Sequence, residues 1–300
     1  MVVVATGFFD GVHLGHRQII DTLVRTARER GGRSVLISFW PHPRTVLQKD
    51  ARDLRLLTSR DEKRDIIMGL GVDQVEIMPF TREFSRLSTE EYLRDIVIGR
   101  FGADAILLGY DNRMGFDSGT PDQIASIAEG LGLEVIRMDA VSLEGGRTVS
   151  STKIRTALAE GDVELAAQML GRRYSLFGVT VAGNRLGRTI GFPTANMKLY
   201  EPLKLLPADG CYLVEVETLG RRYYGMTNIG HRPTVSGGIG DACHRTVETN
   251  IFDFNEDIYG LDLTVSFISQ IREEKHFPSL EALRQQLESD RDWCIAKIKE

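Results

Sequence analysis

The feature that most restricts the fold is a change of texture near residue 173. Before it, short apolar runs alternate with segments of helical period: strand-like stretches at 2–6, 34–39, 74–78, 105–108 and 134–138, and helix-like stretches at 18–30, 60–70, 90–101 and 123–131. Within 18–30, Ile19, Ile20, Leu23, Val24 and Ala27 recur at the spacing of one helix face. This β-α-β rhythm predicts a parallel sheet wrapped by helices, with ligands outside the carboxyl ends of the strands. After residue 173, β-branched and aromatic runs at 174–181, 211–218, 222–228, 246–252 and 262–272 are separated by Gly, Pro, Asn and Asp. That pattern predicts a small antiparallel barrel or sandwich.

Two short helices are expected at 152–158 and 163–170, parted by the turn Glu160-Gly161-Asp162. A last helix is expected from about Ser279, with Leu280, Leu283, Leu287, Ile295 and Ile298 near one face. The expected organisation is an α/β parallel-sheet, Rossmann-like nucleotide domain (1–157), a helical connector (158–172), and an antiparallel β-barrel domain with a C-terminal helix (173–300). A chain of 300 residues suits two cores better than one.

Composition narrows the function classes. The 37 Lys and Arg against 42 Asp and Glu leave a net charge of −5, without the basic surplus of a nucleic-acid binder. No stretch approaches the roughly 20 apolar residues that span a bilayer, and Val2-Val3-Val4-Ala5 reads as a buried strand rather than a signal segment. Cys211, Cys243 and Cys294 are widely spaced and form no Cys-x-x-Cys pair. They argue for a reducing, cytoplasmic setting and against a disulfide framework or thiolate zinc site. The expected chain has no membrane and no nucleic-acid partner, and is a monomer or weak homo-oligomer.

The first strand runs into Gly7-Phe8-Phe9-Asp10-Gly11-Val12-His13-Leu14-Gly15-His16. A glycine turn between a buried strand and a helix aims backbone N–H groups at the sheet edge, a general anion site. Gly15 permits close backbone approach, and His13 and His16 can both reach one phosphate and stabilise charge building on it. The same histidines can instead be zinc ligands or surface residues, although neither a His-Glu-x-x-His pattern nor a nearby third ligand accompanies them.

In Ser150-Ser151-Thr152-Lys153-Ile154-Arg155, hydroxyls at a helix start and two cations can either hold a phosphate or simply cap the helix. Two more strand-end loops border the expected crevice: Phe39-Trp40-Pro41-His42-Pro43-Arg44 and Leu108-Gly109-Tyr110-Asp111-Asn112-Arg113-Met114-Gly115. Asp111 and Asn112 can hold a ribose, a base or a metal-bound water, or form an ordinary Asx turn.

In the second half, Gly183-Asn184-Arg185-Leu186-Gly187-Arg188-Thr189-Ile190-Gly191-Phe192-Pro193-Thr194-Ala195-Asn196 lacks the Gly-Lys-Ser/Thr ending of a Walker A loop. It reads as a hairpin loop with turn glycines, or as a phosphate loop in which Gly183, Gly187, Gly191 and Thr194 meet a nucleotide. In the second case the Thr194 hydroxyl and Asn196 amide suit Mg²⁺, a hard ion that favours oxygen. Glu248 lies in a β-branched run, and on its own reads first as the solvent-facing residue of an alternating strand.

Taken together, 7–16, Pro41-His42-Pro43, 109–115 and 150–155 resemble the adenylyltransferase module of bacterial bifunctional riboflavin kinase/FAD synthetases, in the wider His-x-Gly-His nucleotidyltransferase superfamily. The first motif alone also fits other members of that superfamily. The second half resembles the riboflavin kinase domain through 191–196, Asp209-Gly210-Cys211-Tyr212, Asn228-Ile229-Gly230, 247–254 and 271–277. The resemblance implies a six-stranded closed barrel, with Mg–ATP at Thr194 and Asn196, Glu248 as general base and Arg272 on the flavin.

For the first half it implies catalytic His13 and His16, a nucleotide held by Gly7, Phe8, Asp10, Gly15, Asp111, Ser150, Ser151, Thr152 and Arg155, and flavin at Pro41, His42 and Asn112. The substrates implied are ATP, riboflavin and FMN, with FAD as product. The chain departs from the family at 109–115, where many relatives read Gly-x-Asp-Phe-x-Phe-Gly and Asn112 and Met114 stand in place of the aromatics.

Overall fold

The structure is a computed structural model that describes residues 1–48, 53–109, 114–138, 148–183, 186–231 and 245–299. It divides into two compact units, Met1–Ser151 and Thr152–Glu300.

The first unit holds β1 (Val2–Thr6), α1 (Leu14–Glu29), β2 (Arg33–Trp40), α2 (Pro43–Leu47), α3 (Arg60–Gly69), β3 (Gln74–Pro79), α4 (Thr89–Glu91), β4 (Ala105–Leu108), α5 (Pro121–Gly130) and β5 (Glu134–Arg137). Its five strands pair in parallel in the order β3-β2-β1-β4-β5. The order reverses at β1 and β4, so the crevice between their carboxyl ends is where such a sheet receives a ligand. Two apolar layers cover the sheet. Val4, Ile37, Ile106 and Leu93 lie in one; Val3, Ala5, Leu36, Ile20 and Leu23 lie in the other. Adjacent residues of β1 fall in opposite layers, as the two-residue period of a strand requires.

Helix starts are specified locally. Ser59 caps α3 and Thr120 caps α5, each in a reciprocal capping box with Glu62 or Gln123. The helix expected at 90–101 is different in kind. The short α4 continues as a π-helix over Tyr92–Ile98, which buries Tyr92 and lets its hydroxyl meet the Thr6 hydroxyl at 2.7 Å. The turn Phe84–Arg86 and the helix α2 were not expected from the sequence.

The second unit holds α6 (Ser151–Ala159, whose first residue belongs to the first unit), α7 (Val163–Leu170), β6 (Ser175–Val181), α8 (Leu186–Thr189), β7 (Ala195–Leu199), β8 (Gly210–Thr218), β9 (Arg221–His231), β10 (Arg245–Ile251), β11 (Asp262–Glu273) and α9 (Leu280–Ile298). Its six strands close into an antiparallel barrel in the order β10-β7-β6-β11-β8-β9. Of the two folds left open by the strand pattern, the barrel is the one formed. β7 is a strand that the sequence reading passed over. Leu263, Val265 and Phe267 alternate inward on β11, and Tyr212 and Phe267 meet edge to face at 5.2 Å. Arg272 on β11 pairs with Asp290 on α9 at 2.9 Å, both side chains being almost fully buried.

Candidate functional site

In the first unit, the segment after β1 is shaped by hydrogen bonds to neighbouring elements. Gly7 extends the strand by donating to the Ile37 carbonyl at 3.1 Å. The chain then passes through left-handed conformations at Phe9 (φ 48°), Gly11 (φ 83°) and Val12 (φ 39°). Two of these are non-glycine residues, and such strain persists only where the surroundings fix it. Asp10 does much of the fixing. Its buried carboxylate accepts from the Leu57 and Thr58 backbone N–H groups and the Thr58 hydroxyl at 3.1–3.2 Å. Gly11 N–H donates to the Thr58 hydroxyl at 3.1 Å, and the Ser151 hydroxyl donates to the Asp10 carbonyl at 2.9 Å. Of the hydroxyls expected to meet a phosphate, Ser151 is thus joined to the Gly7–Gly11 turn.

His13 caps α1, its Nδ1 accepting from the His16 backbone N–H at 3.3 Å. A neutral His13 therefore carries its proton on Nε2. Gly15 sits between the two histidines in the first turn of α1, and their rings stack at 3.6 Å with an interplanar angle of 15°. Burial, then the neighbouring His13 and Lys63, hold His16 well below its usual pKa. It is a neutral imidazole near pH 7, and its Nδ1 is buried without a hydrogen-bond partner among the described residues. Phe8 lies over Phe39 (5.4 Å) and beside His42 (5.5 Å), so the turn and the Pro41-His42 loop share an aromatic wall. His42 itself caps α2 through Nδ1, and Trp40–Pro41 is a cis peptide.

Ser150 is half-buried and precedes Ser151 at the end of the first unit. Thr152 is exposed and Arg155 half-buried on α6, both in the second unit. Asp111 and Asn112, expected at the nucleotide and flavin, lie outside the described residues. Met114 is buried and pairs with Gly119.

In the second unit, Glu248 on β10 stands directly opposite Asn196 on β7 and Asn228 on β9. On β10 Val247, Thr249 and Ile251 are buried in alternation and Asn250 is buried as well, with Thr249 bonded to Thr227 at 2.8 Å. By alternation Glu248, Asn196 and Asn228 share the other, outward face of the barrel. This row of carboxylate and amides is held from several sides. A Cβ on Gly183 would lie 2.2 Å from the Asn196 amide nitrogen, so a side chain there would displace Asn196. A Cβ on Gly187 would lie 2.1 Å from the Phe192 carbonyl, and Gly191 takes φ +85°. Asn250, which sequence reasoning did not single out, donates to the Pro193 carbonyl at 2.7 Å and fixes the turn that presents Thr194. A cavity of about 190 Å³ opens beside Thr194, with Arg188, Thr180, Thr249 and the 254–259 loop on its walls.

Arg272 is engaged by protein groups: the Asp290 carboxylate, the Glu273 carbonyl at 3.1 Å and the ring of Phe277 at 5.5 Å. Lys63 is a further residue that the sequence did not reveal. It is buried, and its ammonium donates to the carbonyls of Phe8 (3.1 Å) and Phe39 (3.2 Å). Among the described residues, no group of three or more His, Cys, Asp or Glu is arranged to hold a metal ion, and no helix is long and apolar enough to cross a membrane.

Comparison with known proteins falls along the same division. Residues 1–153 match the family model described as FAD synthetase, and residues 170–297 the one described as riboflavin kinase. The bifunctional riboflavin kinase/FMN adenylyltransferase of Bacillus subtilis is 35% identical over 98% of this chain and 91% of its own length. The Escherichia coli K12 protein of that name is 34% identical over 96% and 90%. A solved structure from Streptococcus pneumoniae, described as a macrolide-efflux protein, superposes with a TM-score of 0.88 at 33% identity, covering 97% of this chain and 92% of that one.

Proposed function

The chain belongs to the bifunctional riboflavin kinase/FMN adenylyltransferase family, and from that premise we propose how its two units divide the work. It is an enzyme of flavin-cofactor synthesis. The C-terminal domain phosphorylates riboflavin to FMN with ATP, and the N-terminal domain adenylylates FMN to FAD with release of pyrophosphate. The residue roles rest on one observation above all: the Asn228–Glu248–Asn196 row across three adjacent barrel strands.

On the barrel, Glu248 accepts the proton of the riboflavin 5′-hydroxyl as that oxygen attacks the γ-phosphorus of ATP, giving FMN and ADP. Asn196, opposite that carboxylate, and Thr194, just before β7, offer neutral oxygens, a donor set that suits Mg²⁺ shared with nucleotide phosphates. When bound there, the ion neutralises phosphate charge. Gly183, Gly187 and Gly191 keep the loop close to the strand so that the nucleotide meets backbone, while Arg272 orients the flavin side through its fixed place between β11 and α9.

On the parallel sheet, a phosphate oxygen of FMN attacks the α-phosphorus of ATP and pyrophosphate leaves. The nucleophile is already ionised, so the site acts by positioning and electrostatics rather than by strong base. The backbone between Gly7 and Gly11 and the imidazole donors of His13 and His16 serve the nucleotide phosphates. Ser150 and Ser151 add hydroxyls, Asp10 holds the turn in shape, and Asp111, Asn112, Pro41 and His42 complete the nucleotide and flavin contacts. Each unit carries its own residue set, so the reading needs no partner chain. The buried free thiols Cys211 and Cys294 suit a reducing cytoplasm.

The test uses two variants of the full chain supplied with riboflavin, ATP and Mg²⁺, or with FMN and ATP. Glu248→Gln is expected to abolish FMN formation and leave FMN-to-FAD conversion intact; His16→Ala is expected to do the reverse. Loss of both activities in either folded variant would overturn the assignment of separate sites.

A further inference from the structure

Lys63 is a buried cation that neither reaction, as derived above, employs. It lies on α3, one turn after the Ser59 capping box, and is 4% exposed. Its hydrogen bonds join two strand ends: the Phe8 carbonyl, inside the turn that follows β1, and the Phe39 carbonyl, one residue before the cis Trp40–Pro41 bond. The Trp40 ring lies 5.8 Å from the ammonium. Lys63 thus ties the turn after β1 to the end of β2 and sets a positive charge against that turn. A glycine turn between a strand and a helix is a general place for an anion to bind.

We propose that Lys63 is a positioning residue of the adenylyl-transfer site, holding the Gly7–Gly11 turn and the Pro41-His42 loop in one arrangement and placing a positive charge beneath the phosphate-binding turn. The proposal rests on the FMN adenylyltransferase reading of this unit. It also accounts for a cost. Burying an ammonium against two carbonyls is expensive, and burial depresses the Lys63 pKa to about 8, partly offset by attraction to Asp10. Such a side chain is a poor choice for stability alone, since an apolar residue would fill the position without desolvating a charge.

The groups around it are few. From the turn after β1 comes Asp10; from α1 come His16, whose pKa Lys63 helps to lower, and the stacked His13. β2 offers the Phe39 carbonyl and the Trp40 ring. On α3 itself Asp61 and Arg64 are exposed, and Glu62 is bonded to Ser59. The charge beneath the turn therefore weakens as pH rises through about 8, and Lys63 titrates there while His16 is already neutral.

The experiment compares wild type, Lys63→Met and Lys63→Arg as full chains, with riboflavin phosphorylation in the same sample as the measure of intact protein. For FMN adenylylation, Lys63→Met should lose at least tenfold in kcat/KM with kinase activity retained. Wild type should show an alkaline fall near pH 8, and Lys63→Arg, which stays charged, should move that fall upward by more than one pH unit. An unchanged kcat/KM in Lys63→Met overturns the proposal, as does a wild-type profile flat across pH 8 or an alkaline limb that Lys63→Arg leaves in place. If Lys63→Met does not fold, the wild-type and Lys63→Arg profiles decide. Should wild type itself make no FAD from FMN, the reading of the unit fails rather than the role of Lys63.

Discussion

At the scale of single residues, His16 shows how packing sets chemistry. Buried, stacked on His13, edge-on to Phe9 and close to Lys63, it cannot take a positive charge cheaply, so it stays neutral where a free histidine begins to protonate. A neutral ring offers one N–H donor without repelling Lys63. The same shift is a stability statement. Below pH 6.5 the unfolded chain takes up a proton that the folded site refuses, so folded stability must fall as pH drops from the unfolded pKa toward the lowered folded one. Between pH 6.5 and 5.5 the loss should approach 1 kcal/mol, the limit set by one proton per pH unit being about 1.4 kcal/mol. Urea midpoints of the N-terminal transition at the two pH values measure it, and His16→Gln should flatten the slope. A slope equal to wild type in that variant would assign the effect to another group.

The two histidines were legible in the sequence because the glycine spacing marks them; Lys63 was not. It occupies a polar position in a helix that reads as amphipathic, and its burial depends on β1 and β2 ending over it, 55 and 24 residues away along the chain. Asp10 was legible as a motif residue, but its role as the clamp on Leu57 and Thr58 appears only in three dimensions.

At the scale of elements, the long strands and helices follow from periodicity, while the elements that shape the barrel site do not. β7 hides because Ala195-Asn196-Met197-Lys198-Leu199 follows a glycine-rich loop and shows little β-branching, yet it pairs with both β6 and β10. Its strand character comes from closing the barrel, a tertiary requirement that outweighs propensity. The π-helix Tyr92–Ile98 has the apolar residues of an ordinary helix, and only its hydrogen bonds differ. The seating of α9 is likewise a matter of one buried pair. Asp290 is 3% exposed and receives Arg272 at 2.9 Å and the Gln286 amide at 2.8 Å. Asp290→Ala leaves the largely buried guanidinium without its carboxylate, which should cost about 3 kcal/mol of C-terminal stability. Thermal unfolding should show it as a lower midpoint, with Asp290→Asn, which keeps a hydrogen-bond acceptor, falling between. Equal midpoints for Ala and wild type would mean that α9 is held by its apolar contacts alone.

At the scale of the whole molecule, the sequence predicts both architectures, because the two halves obey different rules. Crossover helices compel a parallel sheet, and closely spaced turns compel an antiparallel one. The compact units part between Ser151 and Thr152, near the end of one matching family model and well before the start of the next. Each unit has its own core and its own candidate residues, which makes energetic independence a testable property. Asp10→Ala removes an acceptor serving three donors in the first unit, and Asp290→Ala breaks an ion pair in the second. The two lesions share no partner, so their free energies should add to within about 0.5 kcal/mol in the double variant. Asp10→Ala should depress FAD formation while sparing FMN formation, and Asp290→Ala should do the opposite. Measured coupling well above that margin, or one lesion silencing both reactions in a folded chain, would show that the units draw on a common source of stability rather than standing as separate catalysts on one polypeptide.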